Sequence, residues 1–101
     1  MAYEIASKII SGRKVVTTAG TAEKLVSSVT HCYRVDISAD LGNTNPIVIG
    51  GSTVVAASGS QKGIVLIPGN DPRTILINDV SKIYVDSITS GDAAVFNYYQ
   101  S

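Results

Sequence analysis

The chain has 101 residues, of which 45% are hydrophobic and only 16% charged, against roughly 25% charged in typical soluble domains. Eight basic and eight acidic residues cancel to a formal net charge of zero, which argues against a nucleic-acid partner because phosphate neutralisation needs clustered Lys and Arg. Apolar runs of about four residues fall far short of the roughly 20 needed to cross a bilayer, so no membrane span is expected.

The length reads as one domain, residues 1–101, with a modest core. A mean hydropathy of +0.24 in so small a domain predicts apolar patches left at the surface, and such patches mark interfaces. The N-terminus lacks the basic and apolar segments of a secretion signal. A lone cysteine, Cys32, excludes an internal disulfide and fits assembly in a reducing compartment.

Tyr3 to Ile10 is read as an edge strand. Ser11-Gly12 then suggests a hairpin turn, with Arg13-Lys14, the only basic cluster, as its solvated rim. Lys14 to Thr18 is a second run, and Ala19-Gly20-Thr21 turns it into Ala22 to Val26. From Thr30 to Ser38 the alternation predicts a half-buried antiparallel strand, with Cys32, Arg34 and Asp36 on one side and His31, Tyr33, Val35 and Ile37 on the other.

Asp40 to Asn45 is a loop of turn formers, and Pro46 opens the next strand where proline is tolerated. Gly50-Gly51-Ser52 signals a short hairpin into Thr53 to Ala57. Ser58 to Gly63 is a flexible connection to Ile64–Ile67. Pro68-Gly69-Asn70-Asp71-Pro72 is the strongest turn cluster and must be flanked by strands. Asn78 to Ser81 turns the chain into Lys82–Asp86, and Ser90-Gly91-Asp92 turns it into Ala93–Tyr99.

Three runs, Pro46–Ile49, Ile64–Ile67 and Thr74–Ile77, are apolar at nearly every position, so both their faces should be dry. One face can line a core, and with no helix layer in the sequence the other should meet another chain. About nine or ten short strands without a long amphipathic helix predict an all-β fold, a small antiparallel β-sandwich of Greek-key or jelly-roll connection.

No catalytic or metal-binding pattern emerges, and no cofactor is expected. His31 and Cys32 are adjacent on a strand and point to opposite faces, which prevents them from sharing a zinc or forming a nucleophilic pair. Asp86 and Asp92 flank a turn closely enough to approach one another, but turn chemistry explains both more simply. Gly59-Ser60-Gln61-Lys62-Gly63 lacks the Gly-Lys-Ser/Thr ending of a phosphate loop and has no helix after it. Tyrosines at 3, 33, 84, 98 and 99 are scattered, and Tyr98 and Tyr99 point to opposite faces, so a flat glycan-stacking platform is the lesser reading.

Val15-Val16-Thr17-Thr18-Ala19-Gly20-Thr21-Ala22, Ile77 to Asp86 and Ser90 to Tyr98 together resemble small β-sandwich virion structural proteins of tailed bacteriophages. The resemblance implies a non-enzymatic head decoration or cement protein, or the capsid-bound base of a head fibre. It would be a homo-oligomer, with a trimer favoured, seated on the major capsid protein or another virion protein and assembled in the host cytoplasm. It carries over no individual functional residue. A tail, baseplate or fibre-adaptor component and a surface glycan-binding sandwich are the alternatives. Ile9, Val48, Val65, Leu66 and Tyr99, on apolar runs opposite expected core positions, are the expected interface residues.

Overall fold

Eight strands and one 3-10 turn build two four-stranded antiparallel sheets in the computed structural model, which describes residues 6–101. The strands are β1 (Lys8–Val15), β2 (Glu23–Lys24), β3 (Arg34–Ala39), β4 (Ile47–Gly50), β5 (Ile64–Leu66), β6 (Arg73–Ile75), β7 (Tyr84–Ser87) and β8 (Ala93–Gln100). One sheet has the order β1-β8-β3-β6 and the other β2-β7-β4-β5.

In this order β1 pairs with β8, β2 with β7, β3 with β6 and β4 with β5. The chain is thus one long antiparallel ribbon folded at its middle and rolled so that successive pairs fall alternately in the two sheets. That is the jelly-roll connection, and of the two topologies the sequence left open it is the one adopted. The turn cluster at residues 68–72 is flanked by strands as expected, but it crosses from one sheet to the other.

The core lies between the sheets. Val35, Ile37 and Ala39 of β3, Ala94 and Phe96 of β8, Ile47 and Ile49 of β4 and Val85 of β7 form it, with Val16, Leu25, Val80 and Ile83 closing its margins. The alternation predicted for β3 holds from Arg34 to Ser38. It breaks at the bend at Tyr33, so Cys32 is buried although it sits on the side assigned to Arg34.

The hairpin expected after Ser11-Gly12 does not form. β1 runs unbroken through Gly12 because Phe96, its partner on β8, lays its ring over the glycine: a Cβ there would stand 2.5 Å from Phe96 Cζ. An aromatic covering a strand glycine supplies the packing that glycine lacks. The expected strand start at Tyr3 lies outside the described residues.

The run Thr53–Ala57 joins neither sheet. After Gly50 the chain turns and lies back over the outer face of β4, held by paired bonds between Val55 and Lys62 of 3.0 and 2.9 Å. Val54 and Ala56 pack there on Val48, with Ala22 and Tyr84 alongside. β4 is therefore dry on both faces, as its sequence required, but the chain's own loop covers the second face. No helix among the described residues is long and apolar enough to cross a membrane.

Candidate interaction surface

Four carboxylates hold the loops by accepting from backbone N–H groups, three of them reaching donors 30 or more residues away. Asp86, fully buried on β7, accepts from Gly20 N at 3.0 Å and Ala56 N at 2.9 Å, joining the β1–β2 loop to the segment over β4. Asp92 accepts from Thr44 N and Asn45 N, both at 2.9 Å. Asp79 caps the 3-10 turn Val80–Lys82 through Ser81 N at 2.9 Å and also accepts from Thr30 N at 3.0 Å. Glu23 accepts from Thr17 N and Thr18 N and pairs with Lys14 Nζ at 2.9 Å. Asp86 and Asp92 thus serve different loops, and each is occupied by backbone donors. A carboxylate suits this task because charge-assisted bonds are shorter and stronger than neutral ones.

The outer face of the β1-β8-β3-β6 sheet is a polar network centred on Asp36. Its carboxylate accepts from Arg34 Nε and Nη2 at 3.1 and 3.0 Å, Thr74 Oγ1 at 2.6 Å and the Tyr99 hydroxyl at 2.8 Å. The Arg34 guanidinium lies 5.1 Å from the Tyr99 ring centroid. With its ring under a cation and its hydroxyl engaged, Tyr99 is not an open stacking platform for a sugar.

The Arg34 hydrogen bond leads the effects that lower Asp36 from 3.8 to about 2. Burial raises Glu23, but the bonds from Thr18, Lys14 and Thr17 outweigh it and lower the group from 4.5 to about 2. Both folded values lie below the unfolded ones, so the stability these groups contribute is complete above about pH 5 and is lost as pH falls towards about 2. Asp36→Asn and Glu23→Gln are each expected to cost on the order of 2 kcal/mol at pH 7 and to flatten the acid limb, as read from urea unfolding at neutral and acid pH.

The five expected interface residues fall on opposite sheets. Ile9 and Tyr99 are cross-strand partners, with Ile9 exposed and Tyr99 half-buried in the Asp36 network. Val48 and Val65 are partners on the other sheet. Val48 and Leu66 are corrected here: Val48 is buried under Val54 and Ala56, and Leu66 points into the core beside Ile47. Neither can meet another molecule without opening the fold. The expectation that the second face of these apolar strands awaits another chain is corrected for β4, which Val54 and Ala56 cover, whereas Ile64 and Val65 of β5 stay 36% and 37% exposed.

Apolar side chains are also exposed at the tips of the sandwich. The loops after β3, β5 and β7 emerge at one end and present Leu41 (80% exposed), Ile67 (48%) and Ile88 (52%). Two of these loops, those after β3 and β7, are tied together: Asn45 Nδ2 donates to Thr89 Oγ1 at 2.6 Å, Asn43 donates to and accepts from the Ala93 backbone, and Asp92 holds residues 44 and 45. None of the three was among the expected interface residues, although Ile67 ends the apolar run Ile64–Ile67. The available signal was a single large aliphatic set among turn formers, as in Asp40-Leu41-Gly42.

The sequence matches no family model and no curated protein. Among solved structures, a chain from Bacillus endospore appendages, described as a novel family of disulfide-linked pili, is similar with a TM-score of 0.44 and 15% identity over 100% of this chain and 98% of that one. A likeness of that degree carries no argument about function.

Proposed function

We propose that this protein is a non-enzymatic structural subunit of a tailed-phage virion, a decoration or cement protein that seats the loop end of its sandwich on the head shell. The observation that carries the reading is the apolar tip formed by Leu41, Ile67 and Ile88, with the loops of Leu41 and Ile88 held by buried and half-buried polar anchors. Such a tip meets a partner already ordered, so little conformational entropy is lost on binding. The jelly-roll connection supports the reading at fold level, because shells of viruses are among its uses, although the same fold serves other tasks. The resemblance of residues 15–22, 77–86 and 90–98 to phage head proteins directs it to the capsid surface.

Mass spectrometry of separated heads and tails tests the placement, with recovery in heads expected and recovery in tails alone overturning it in favour of a tail or baseplate role. For contact through the tip, Leu41→Asp is expected to weaken binding to shells lacking the protein about tenfold to a hundredfold, the value of burying one leucine. The folded chain should keep its thermal midpoint, since Leu41 is exposed. Unchanged shell binding would reject the tip as the contact.

A further inference from the structure

The four outer edges of the two sheets are unequal. β2, β5 and β6 are two or three residues long, whereas β1 is an edge of eight. Val16 N donates to Asp92 O and Asp40 N to Ala93 O, which sets the alternation across the sheet. The even-numbered residues of β1 bond to β8, and the backbone groups of Ile9, Ser11, Arg13 and Val15 point away from the sheet. Among the described residues no backbone group pairs with them. An open edge of this length is a template for another strand.

Edge strands are usually blocked by charge, and β1 carries Lys8, Arg13 and Lys14. Two of these are neutralised within the chain: Arg13 lies 2.9 Å from Asp40, and Lys14 lies 2.9 Å from Glu23. Lys8 sits at the far end of the strand.

We infer that β1 pairs antiparallel with β1 of a second copy about a two-fold axis at Gly12, joining two sheets into one of eight strands. The register follows from what each alignment sets face to face. With Gly12 opposite Gly12, Ile9 meets Val15, Ser11 meets Arg13 and Ile10 meets Lys14, so apolar faces apolar and no two cations are opposed. Shifting the axis to Ser11 opposes Lys8 with Lys14 and Ile9 with Arg13. Shifting it to Arg13 sets that residue against its own copy. Like charges directly opposite destabilise a pair, so the Gly12 register is preferred. Like the other two axes, it makes every hydrogen-bonded pair odd with odd, which the outward backbone groups require. The contact is self-complementary, as a two-fold dimer demands. Ile9, 62% exposed, and Val15, 40% exposed, gain cover from each other. This pairing does not rest on the shell-binding reading and uses a different part of the molecule.

Sedimentation equilibrium of the full chain should give the mass of two copies at submillimolar concentration. A monomer, or the mass of three copies, would overturn the inference. Ser11→Pro removes one outward N–H and the exposed Ser11 Oγ bond to Asn97 Oδ1 but leaves the backbone bonds to β8 intact, so it should yield a folded monomer; a folded dimer would place the interface elsewhere. Should that variant not fold, amide exchange of the unaltered chain decides. The amides of residues 9, 11, 13 and 15 should become protected as concentration rises, while those of 10, 12 and 14 are protected throughout, and fast exchange of the odd set in a dimer would reject β1 pairing. The double variant Ile9→Cys, Val15→Cys should cross-link between copies on oxidation, whereas cross-linking by Ser11→Cys or Arg13→Cys alone would replace this register with one of the other two.

Discussion

Replacing Gly63 with alanine is expected to destabilise the fold by about 3–5 kcal/mol, the sum of an unfavourable backbone conformation and a clash that cannot relax. Gly63 has φ of +121°, where side chains are strained, and its Cβ would stand 2.6 Å from Val48 Cγ1 and 2.8 Å from Ile49 O. The valine can shift slightly. The carbonyl cannot, because Ile49 belongs to β4, the strand between β7 and β5. Gly59→Ala is the control, since Gly59 has φ of +88° with nothing within 4 Å of the added carbon. It should show the conformational cost alone, about 1 kcal/mol. Thermal unfolding of the two variants checks the difference: the midpoint of Gly63→Ala should fall on the order of 20 °C, given several degrees per kcal/mol in a domain of this size. Equal losses would mean that the close approach of the loop to β4 is wrong.

Asp86→Ala is expected to cost about 2–3 kcal/mol, because the buried N–H of Ala56 loses its acceptor, while the exposed Gly20 N keeps only its longer bond to Ser87 O at 3.2 Å. The carboxylate is fully buried and forms no ion pair among the described residues, so the N–H groups of Gly20 and Ala56 are what hold it. Asp86→Asn keeps one acceptor oxygen but turns an amide NH2 towards a backbone donor, and it should recover only part of the loss. The effect has a location as well as a size. Amide exchange should quicken between residues 54 and 62 and around Gly20, the two segments this side chain joins, while the β3–β8 ladder keeps its protection until global unfolding. Uniform loss of protection across both sheets would show that Asp86 supports the core generally and does not clasp these segments.

The clasps also bear on binding. A loop that must order on contact spends part of its interaction energy on ordering, whereas the loops carrying Leu41 and Ile88 are held by Asp92, Asn43 and Asn45 beforehand. Of the two aspartates that flank the β7–β8 turn, Asp92 holds the loop that carries Leu41, and Asp86 clasps Gly20 and Ala56. Asp86 and Asp92 looked paired in sequence because they flank one turn; in the fold each reaches out to a different loop.

What could be read from residues alone was local. β-prone runs, the punctuating Gly, Pro, Asn and Asp clusters and the period-two pattern of Arg34 to Ser38 gave the all-β class, the two-sheet sandwich and most strand positions, because backbone propensity and turn chemistry act over a few neighbours. The dryness of both faces of Ile47–Ile49 was legible too, but its cause was not. Whether a loop of the same chain or a second molecule covers Val48 depends on contacts that sequence spacing does not encode. The same holds for Gly12, which signals a turn by itself and becomes a mid-strand residue only because Phe96, 84 positions later, lies over it. Pairing of β1 with β8 and β2 with β7 joins segments from opposite ends of the chain, so register, core membership and the destination of each carboxylate were decided only when the ribbon rolled up and brought distant donors, acceptors and apolar surfaces together.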